Sequence, residues 1–124
     1  MALEEKITKA VQSAIRYLEN SRKSITENNE NALVNHVWKA SAELEYALFL
    51  FSILQQNENQ RYLWKVDLES KQLEVAPVIT STHELLREAK TSFENGDLLE
   101  AHKKMWLARG YLLKVQEFFE KKRE

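Results

Sequence analysis

The chain has 124 residues, of which 44% are hydrophobic and 30% are charged, and its formal net charge is −1. This composition is typical of one soluble globular domain, and the near-neutral charge gives no overall field that would attract nucleic acid or anionic lipid. The absence of cysteine excludes disulfides and thiolate catalysis, and two glycines with one proline disfavour an all-β fold, which needs many tight turns.

The first predicted helix covers about residues 3–27, because apolar side chains recur along it at helical spacing. Its predicted buried face is formed by Leu3, Ile7, Ala10, Val11, Ala14, Leu18 and Ile25. The second predicted helix covers about 30–56, with apolar residues at steps of four, three, four, three and four. These residues are Leu33, Val37, Ala40, Leu44, Ala47 and Phe51. Together the two helices are expected to form a first hairpin over about 3–56.

The segment at about 57–81 has a different pattern from both helices. Alternate positions carry aromatic, β-branched or leucine side chains, which is the period of a strand. These positions are Tyr62, Trp64, Val66 and Leu68. We predict a short extended or β-hairpin-like linker that ends at Pro77. The alternative is a continuation of the second helix, because apolar residues between Leu63 and Leu73 also fit helical steps.

The third predicted helix begins near Thr82, where Ser81 and Glu84 can form a capping box, and ends near Asn95. The fourth covers about 98–121 and repeats the steps of the second. Its apolar residues, each 68 positions after a counterpart in the second helix, are Ala101, Met105, Ala108, Leu112, Val115 and Phe119. This correspondence predicts a second hairpin, over about 82–121, that repeats the first in structure.

The turns within the two hairpins also match in chemistry. Gly96 lies where a helix ends in a left-handed residue, and Asp97 with Glu100 can form a capping box for the next helix. Asn28 and Asn29 occupy the same positions in the first hairpin. Asparagine tolerates the left-handed conformation and is a good N-cap residue. Both hairpins therefore carry the same stop and start patterns.

Two such hairpins predict an all-α protein, an antiparallel four-helix bundle that forms one domain over residues 1–124. The second hairpin also resembles a tetratricopeptide-type hairpin over about 20 residues, because its small residues and its turn match that repeat. The matching residues are Ala89, Gly96, Asp97, Ala101 and Ala108. The intervening repeat unit is missing, so we transfer no peptide-binding role from this resemblance.

The sequence contains no recognisable catalytic or metal-binding motif. The three histidines are His36, His83 and His102, and none follows a glutamate by three positions, as a di-metal carboxylate bundle requires. The sequence also lacks a glycine-rich phosphate loop. We therefore expect no enzyme activity, no metal and no cofactor.

The second helix has more apolar residues than one bundle core needs. A core-facing helix uses about three residues in seven, whereas residues 44–54 include only two polar residues. The surplus residues are Tyr46, Phe49, Leu50 and Ile53. Either the linker covers this second face or another protein does. The residues that we predict to contact a protein partner are Trp38, Phe49, Tyr62 and Trp64.

The leading functional prediction is a small non-enzymatic interaction module, a homodimer or a subunit of a larger complex. The alternative is a nucleic-acid-binding bundle that uses a basic side of the fourth helix, around Lys103, Arg109 and Lys114. A third option is a small-molecule pocket between helices. The first ten residues do not resemble a signal peptide and no apolar stretch is long enough to span a bilayer, so we expect a cytoplasmic protein without membrane contact.

Overall fold

The structure, a computed structural model, describes residues 2–55 and 73–123, and these residues form four helices and no strand. The helices are α1 (Leu3–Thr26), α2 (Glu30–Leu54), α3 (Val75–Glu94) and α4 (Leu98–Arg123). The predicted all-α bundle of two helical hairpins is confirmed.

The helices pack as a square in which each neighbouring pair is antiparallel. α1 packs against α2 and α3, and α4 packs against the same two helices, so that α1 and α4 lie on one diagonal of the square and α2 and α3 on the other. The start of α1, the end of α2 and the α3–α4 turn lie at one end of the bundle, and the α1–α2 turn lies at the other with the start of α3. α2 and α3 therefore occupy diagonal corners of the square. The end of α2 and the start of α3 also lie at opposite ends of the bundle.

The core is built from the predicted helix faces. All twelve residues of the matched series in α2 and α4 are buried, with no more than 8% of any side chain exposed. Matched positions of α1 and α3 agree as well, because Leu18 and Leu86 are fully buried and Ser21 lies where α3 has the buried Ala89. Each hairpin thus presents an equivalent apolar surface. The two surfaces bury each other in an approximately twofold-symmetric arrangement.

The two hairpin turns have the same backbone conformation. Asn28 and Gly96 are left-handed, with φ of 56° and 82°. The N–H of the residue after each donates to the carbonyl of Ser24 in the first turn and of Ser92 in the second, at 2.9 Å in both. This is the Schellman arrangement, which satisfies carbonyls at a helix end and needs a residue that tolerates positive φ.

The helices that follow the turns begin with equivalent N-caps. The Asn29 side chain accepts a hydrogen bond from the N–H of Ala32 at 3.1 Å, and the Asp97 carboxylate accepts one from the N–H of Glu100 at 3.3 Å. Each cap satisfies one N–H that the first helical turn leaves free. The predicted stop and start patterns are therefore confirmed in both hairpins.

The predicted start of the third helix is wrong. α3 begins at Val75, seven residues before Thr82, and Ser81 is an exposed helical residue instead of an N-cap. Pro77 lies in the first turn of α3, where its missing N–H has no intrahelical partner to lose, so it does not end the preceding segment. Thr82 is fully buried, and its hydroxyl donates to the carbonyl of Val78 at 2.7 Å.

Most of the predicted linker lies outside the described residues. This applies to Tyr62 and Trp64 and to the predicted strand alternation around them. Of the residues just before α3, Leu73 is buried against the bundle core and Glu74 has an extended backbone. The second hairpin therefore starts near residue 75, and about seven residues of the predicted linker belong to α3.

Candidate functional site

A line of large apolar residues lies on the side of α2 that faces away from the bundle core. These side chains, which we call the α2 outer stripe, are Trp38, Tyr46, Phe49 and Ile53. Their exposed fractions are 36%, 48%, 60% and 39%. Tyr46, Phe49 and Ile53 follow one another at steps of three and four, and Trp38 lies eight residues before Tyr46. Isolated exposed apolar residues are common on proteins, whereas large exposed apolar patches are typical of interaction sites.

The spacing of α2 explains why it has two apolar faces. Tyr46, Phe49 and Ile53 each follow a buried core residue by two positions. Two residues correspond to about 200° of rotation around a helix, which is nearly the opposite side. Tyr46, Phe49 and Ile53 therefore repeat, on the surface of the bundle, the three- and four-residue steps of the core face.

Two of the four predicted contact residues, Trp38 and Phe49, lie on this face. They are eleven residues apart, which brings them to nearly the same side of α2. Tyr62 and Trp64 lie outside the described residues. Leu50, which the sequence placed among the surplus, is buried in the core with only 5% of its side chain exposed.

The side of the stripe nearest α4 has a charged border. Arg109 of α4 donates a hydrogen bond to Glu45 of α2, and its guanidinium lies 5.0 Å from the centre of the Trp106 ring. Leu113 follows Arg109 by about one helical turn and is 40% exposed. The ion pair joins α4 to α2 beside the stripe, and Leu113 adds a further exposed apolar group on that side.

The basic residues of α4 are largely paired with carboxylates. Lys104 lies within 4 Å of carboxylates from α3 and from its own helix, and Arg109 contacts one from α2. Further pairs join Lys114 to Glu117, Lys121 to Glu117, and Lys122 to Glu30. A surface that attracts phosphates needs positive charge that nearby acids do not offset. Nucleic-acid binding through α4 stays a prediction that these pairs do not favour.

The three histidines lie at different places between the helices. His36 packs against the Tyr17 ring with 6.3 Å between ring centres, and His102 packs against Phe51 at 4.8 Å. His83 is buried between α1 and α3. In the two described stretches, no three histidine or acidic side chains come together in a way that could hold a metal ion.

Two concave regions stand out on the bundle surface. A depression of about 760 Å³ at one end is lined by Leu54, Phe93 and Leu98 with acidic residues of α1. A polar groove of about 550 Å³ runs between α1 and α3 and has His83 in its wall. Because α1 and α3 occupy the edge of the square opposite α2 and α4, this groove and the α2–α4 edge lie on opposite sides of the bundle.

No family model, no curated protein and no solved structure matches this chain. The tetratricopeptide resemblance of the second hairpin therefore rests on its turn and small residues alone. None of the helices in the described ranges combines the length and the apolar character that crossing a membrane requires.

Proposed function

We propose that the protein is a non-enzymatic helical interaction module that self-associates through the α2 outer stripe. The observation that supports this most directly is the exposure of Tyr46, Phe49 and Ile53 at steps of three and four. Helices that pack lengthwise against other helices use this spacing. Aromatic residues are also favoured anchors of protein interfaces, because they bury a large area with little loss of conformational freedom.

A second copy of the same chain is the partner that we propose. Two copies related by a twofold axis contribute the same surface to each side of the interface, so the stripe of one copy can pack against the stripe of the other. The formal net charge of −1 gives little electrostatic repulsion between copies. The four stripe residues are themselves uncharged, which lowers the desolvation cost of burying them.

Phe49 is expected to contribute most to the interface. With 60% of its side chain exposed, about 120 Å² of apolar surface is available for burial. At about 25 cal/mol per Å², complete burial of that area contributes roughly 3 kcal/mol per copy. Incomplete burial and the entropy lost on ordering reduce this value, so a loss of about 1.4 kcal/mol, or tenfold in affinity, is a conservative expectation for its removal.

Sedimentation velocity on the full chain, from low to high micromolar concentration, tests the proposal. We expect the wild type to form dimers and Phe49→Gln to shift the dissociation constant upward by about tenfold or more. Leu99→Gln is the matched control, because Leu99 is a similarly exposed apolar residue on α4, outside the stripe. A wild type that stays monomeric, or equal effects of the two substitutions, would show that the stripe is not a self-association surface.

We also propose a cytoplasmic location. The support is the lack of cysteine, which is compatible with a reducing compartment. Fractionation of cells that express the full chain with a terminal epitope tag tests this, and recovery of the protein in a secreted or membrane fraction would contradict it.

A further inference from the structure

We propose that the groove between α1 and α3 binds a small molecule that carries a phosphate group. In this site Arg22, Arg87 and Lys90 supply the positive charge and His83 donates a hydrogen bond from the groove wall. The groove has a volume of about 550 Å³, which lies within the usual range of small-molecule sites. The proposed site is separate from the α2 outer stripe.

The first observation is the state of the His83 side chain. His83 is only 7% exposed, and among the described residues its buried Nε2 has no hydrogen-bond partner. The nearest carboxylate oxygen, Glu19 Oε1, is 3.6 Å from Nε2, which is beyond hydrogen-bond reach. A buried polar atom without a partner is unfavourable unless water or a ligand satisfies it. Nε2 is therefore a buried, unsatisfied polar atom of a residue that lines the groove, and a bound molecule would satisfy it once the exposed Glu19 carboxylate moves aside.

The second observation comes from comparing the two hairpins. The position in α1 that corresponds to His83, 68 residues earlier, is occupied by Ile15, which is 4% exposed. An isoleucine fills this buried position without any polar requirement. The approximate repeat thus holds along the core but differs here, where α3 places a polar ring at the groove. Core packing alone does not require a histidine at this position.

The third observation is the arrangement of positive charge along the groove. Arg22 and Lys90 are matched positions of the two hairpins, so the antiparallel packing of α1 and α3 separates them along the groove. Arg87 follows His83 by four residues and precedes Lys90 by three, which puts all three on one side of α3. The groove therefore has cationic side chains on both sides of its buried histidine.

These cations differ from those of α4 in their partners. Within residues 2–55 and 73–123, neither Arg22 nor Arg87 lies within 4 Å of a carboxylate, and Lys90 donates to the neutral Gln12 amide oxygen at 2.8 Å. Glu19 and Glu94 also line the groove, so its three cations and two carboxylates leave one net positive charge. The positive charge of the groove is thus available to an anion.

Phosphate is the anion that fits this set of donors best. Two guanidinium groups present planar pairs of N–H donors that match phosphate oxygens, and a lysine adds a mobile point charge. The imidazole Nε2–H supplies a further donor at the wall. A phosphate monoester offers three terminal oxygens with several lone pairs each, so it can accept hydrogen bonds from more than one of these donors at the same time. A single carboxylate can engage fewer of them.

An NMR titration of the ¹⁵N-labelled full chain with inorganic phosphate and with glycerol phosphate, at constant ionic strength, tests the site. We expect saturable shifts at the His83 ring nitrogens and along the facing sides of α1 and α3, with weaker binding of acetate. Shifts that do not saturate, or that spread over the whole surface, would overturn the proposal. Binding only to vesicles that contain phosphatidic acid, with none to the soluble probes, would also overturn it.

Three charge substitutions sharpen this test. Arg87→Gln should weaken phosphate binding by roughly fivefold to tenfold, whereas Arg16→Gln, which removes the same charge from an exposed position of α1 outside the groove, should change it less than about twofold. Glu19→Gln should strengthen binding, because it removes the carboxylate closest to His83 Nε2. A damaged fold would not produce tighter binding. Equal losses for the two arginine variants, or weaker binding by Glu19→Gln, would contradict the proposed site.

Discussion

Replacing Gly96 with alanine should destabilise the protein although alanine is the better helix former. Gly96 has a φ of 82°, and an added Cβ would meet no atom within 4 Å. Steric overlap with neighbours therefore contributes nothing, and only the backbone conformation matters. A left-handed conformation costs an L-residue about 1–2 kcal/mol, while the stiffer unfolded chain offsets about 0.4–1 kcal/mol of that. The expected net loss of unfolding free energy is about 1 kcal/mol.

The first hairpin supplies the control for this substitution. Asn28 occupies the matched position with a φ of 56°, so Gly96→Asn should lose less than about 0.5 kcal/mol. Urea unfolding followed by far-UV circular dichroism measures both variants, and a loss of 1 kcal/mol lowers Tm by roughly 3–5 °C for a chain of this size. If Gly96→Ala is as stable as the wild type or more stable than Gly96→Asn, the left-handed turn is not what ends α3.

Two further substitutions test the packing of the core by the same unfolding measurement. Leu112→Ala should lose about 3 kcal/mol because Leu112 is fully buried, whereas Leu113→Ala, at the next and 40% exposed position, should lose less than about 1 kcal/mol. Similar losses for the two variants would show that the assigned core face of α4 is wrong. Ser21→Ala should stay within about 0.5 kcal/mol of the wild type. In the described part of the chain the Ser21 hydroxyl donates only to the Tyr17 carbonyl of its own helix, and the matched position is already Ala89. A loss above 1 kcal/mol would show that the two hairpins are not equivalent there.

The parts of the fold that local spacing encodes were predictable from the sequence. Steps of three and four residues place apolar side chains on one side of a helix whatever packs against it, and the matched series in α2 and α4 are buried as predicted. The turns were also predictable, because Asn28 and Gly96 are residue types that tolerate positive φ and the following Asn29 and Asp97 are good N-caps.

The start of α3 was mispredicted because two local patterns competed there. A capping box at Ser81 contributes about 1 kcal/mol, whereas burying Ile79, which is fully buried in the bundle, contributes about 1.5–3 kcal/mol. Extending the helix back to Val75 brings Ile79 into the core, and Pro77 is tolerated in the first turn. Burial therefore outweighs the internal capping sequence, and the local pattern contained no information about that contact.

The candidate site was predictable only in part. The surplus of apolar residues in α2 was visible in the sequence, but the separation of exposed Tyr46 from buried Leu50 depends on where α1 and α4 lie around α2. The position of His83 beside Glu19, 64 residues earlier in the chain, likewise depends on the packing of α1 against α3. No local pattern in α1 or α3 indicates that these two residues lie close together.

The sequence by itself determined four amphipathic segments, two equivalent turns and one helix with more apolar surface than its own core requires, because these properties arise from neighbours within a few residues. Only the tertiary structure decided which helices share edges of the square, which apolar residues remain on the surface and which charged groups face one groove. The physical reason is that these features come from contacts between residues far apart in the chain, and burial of the common core selects one arrangement among several that satisfy the same helix patterns.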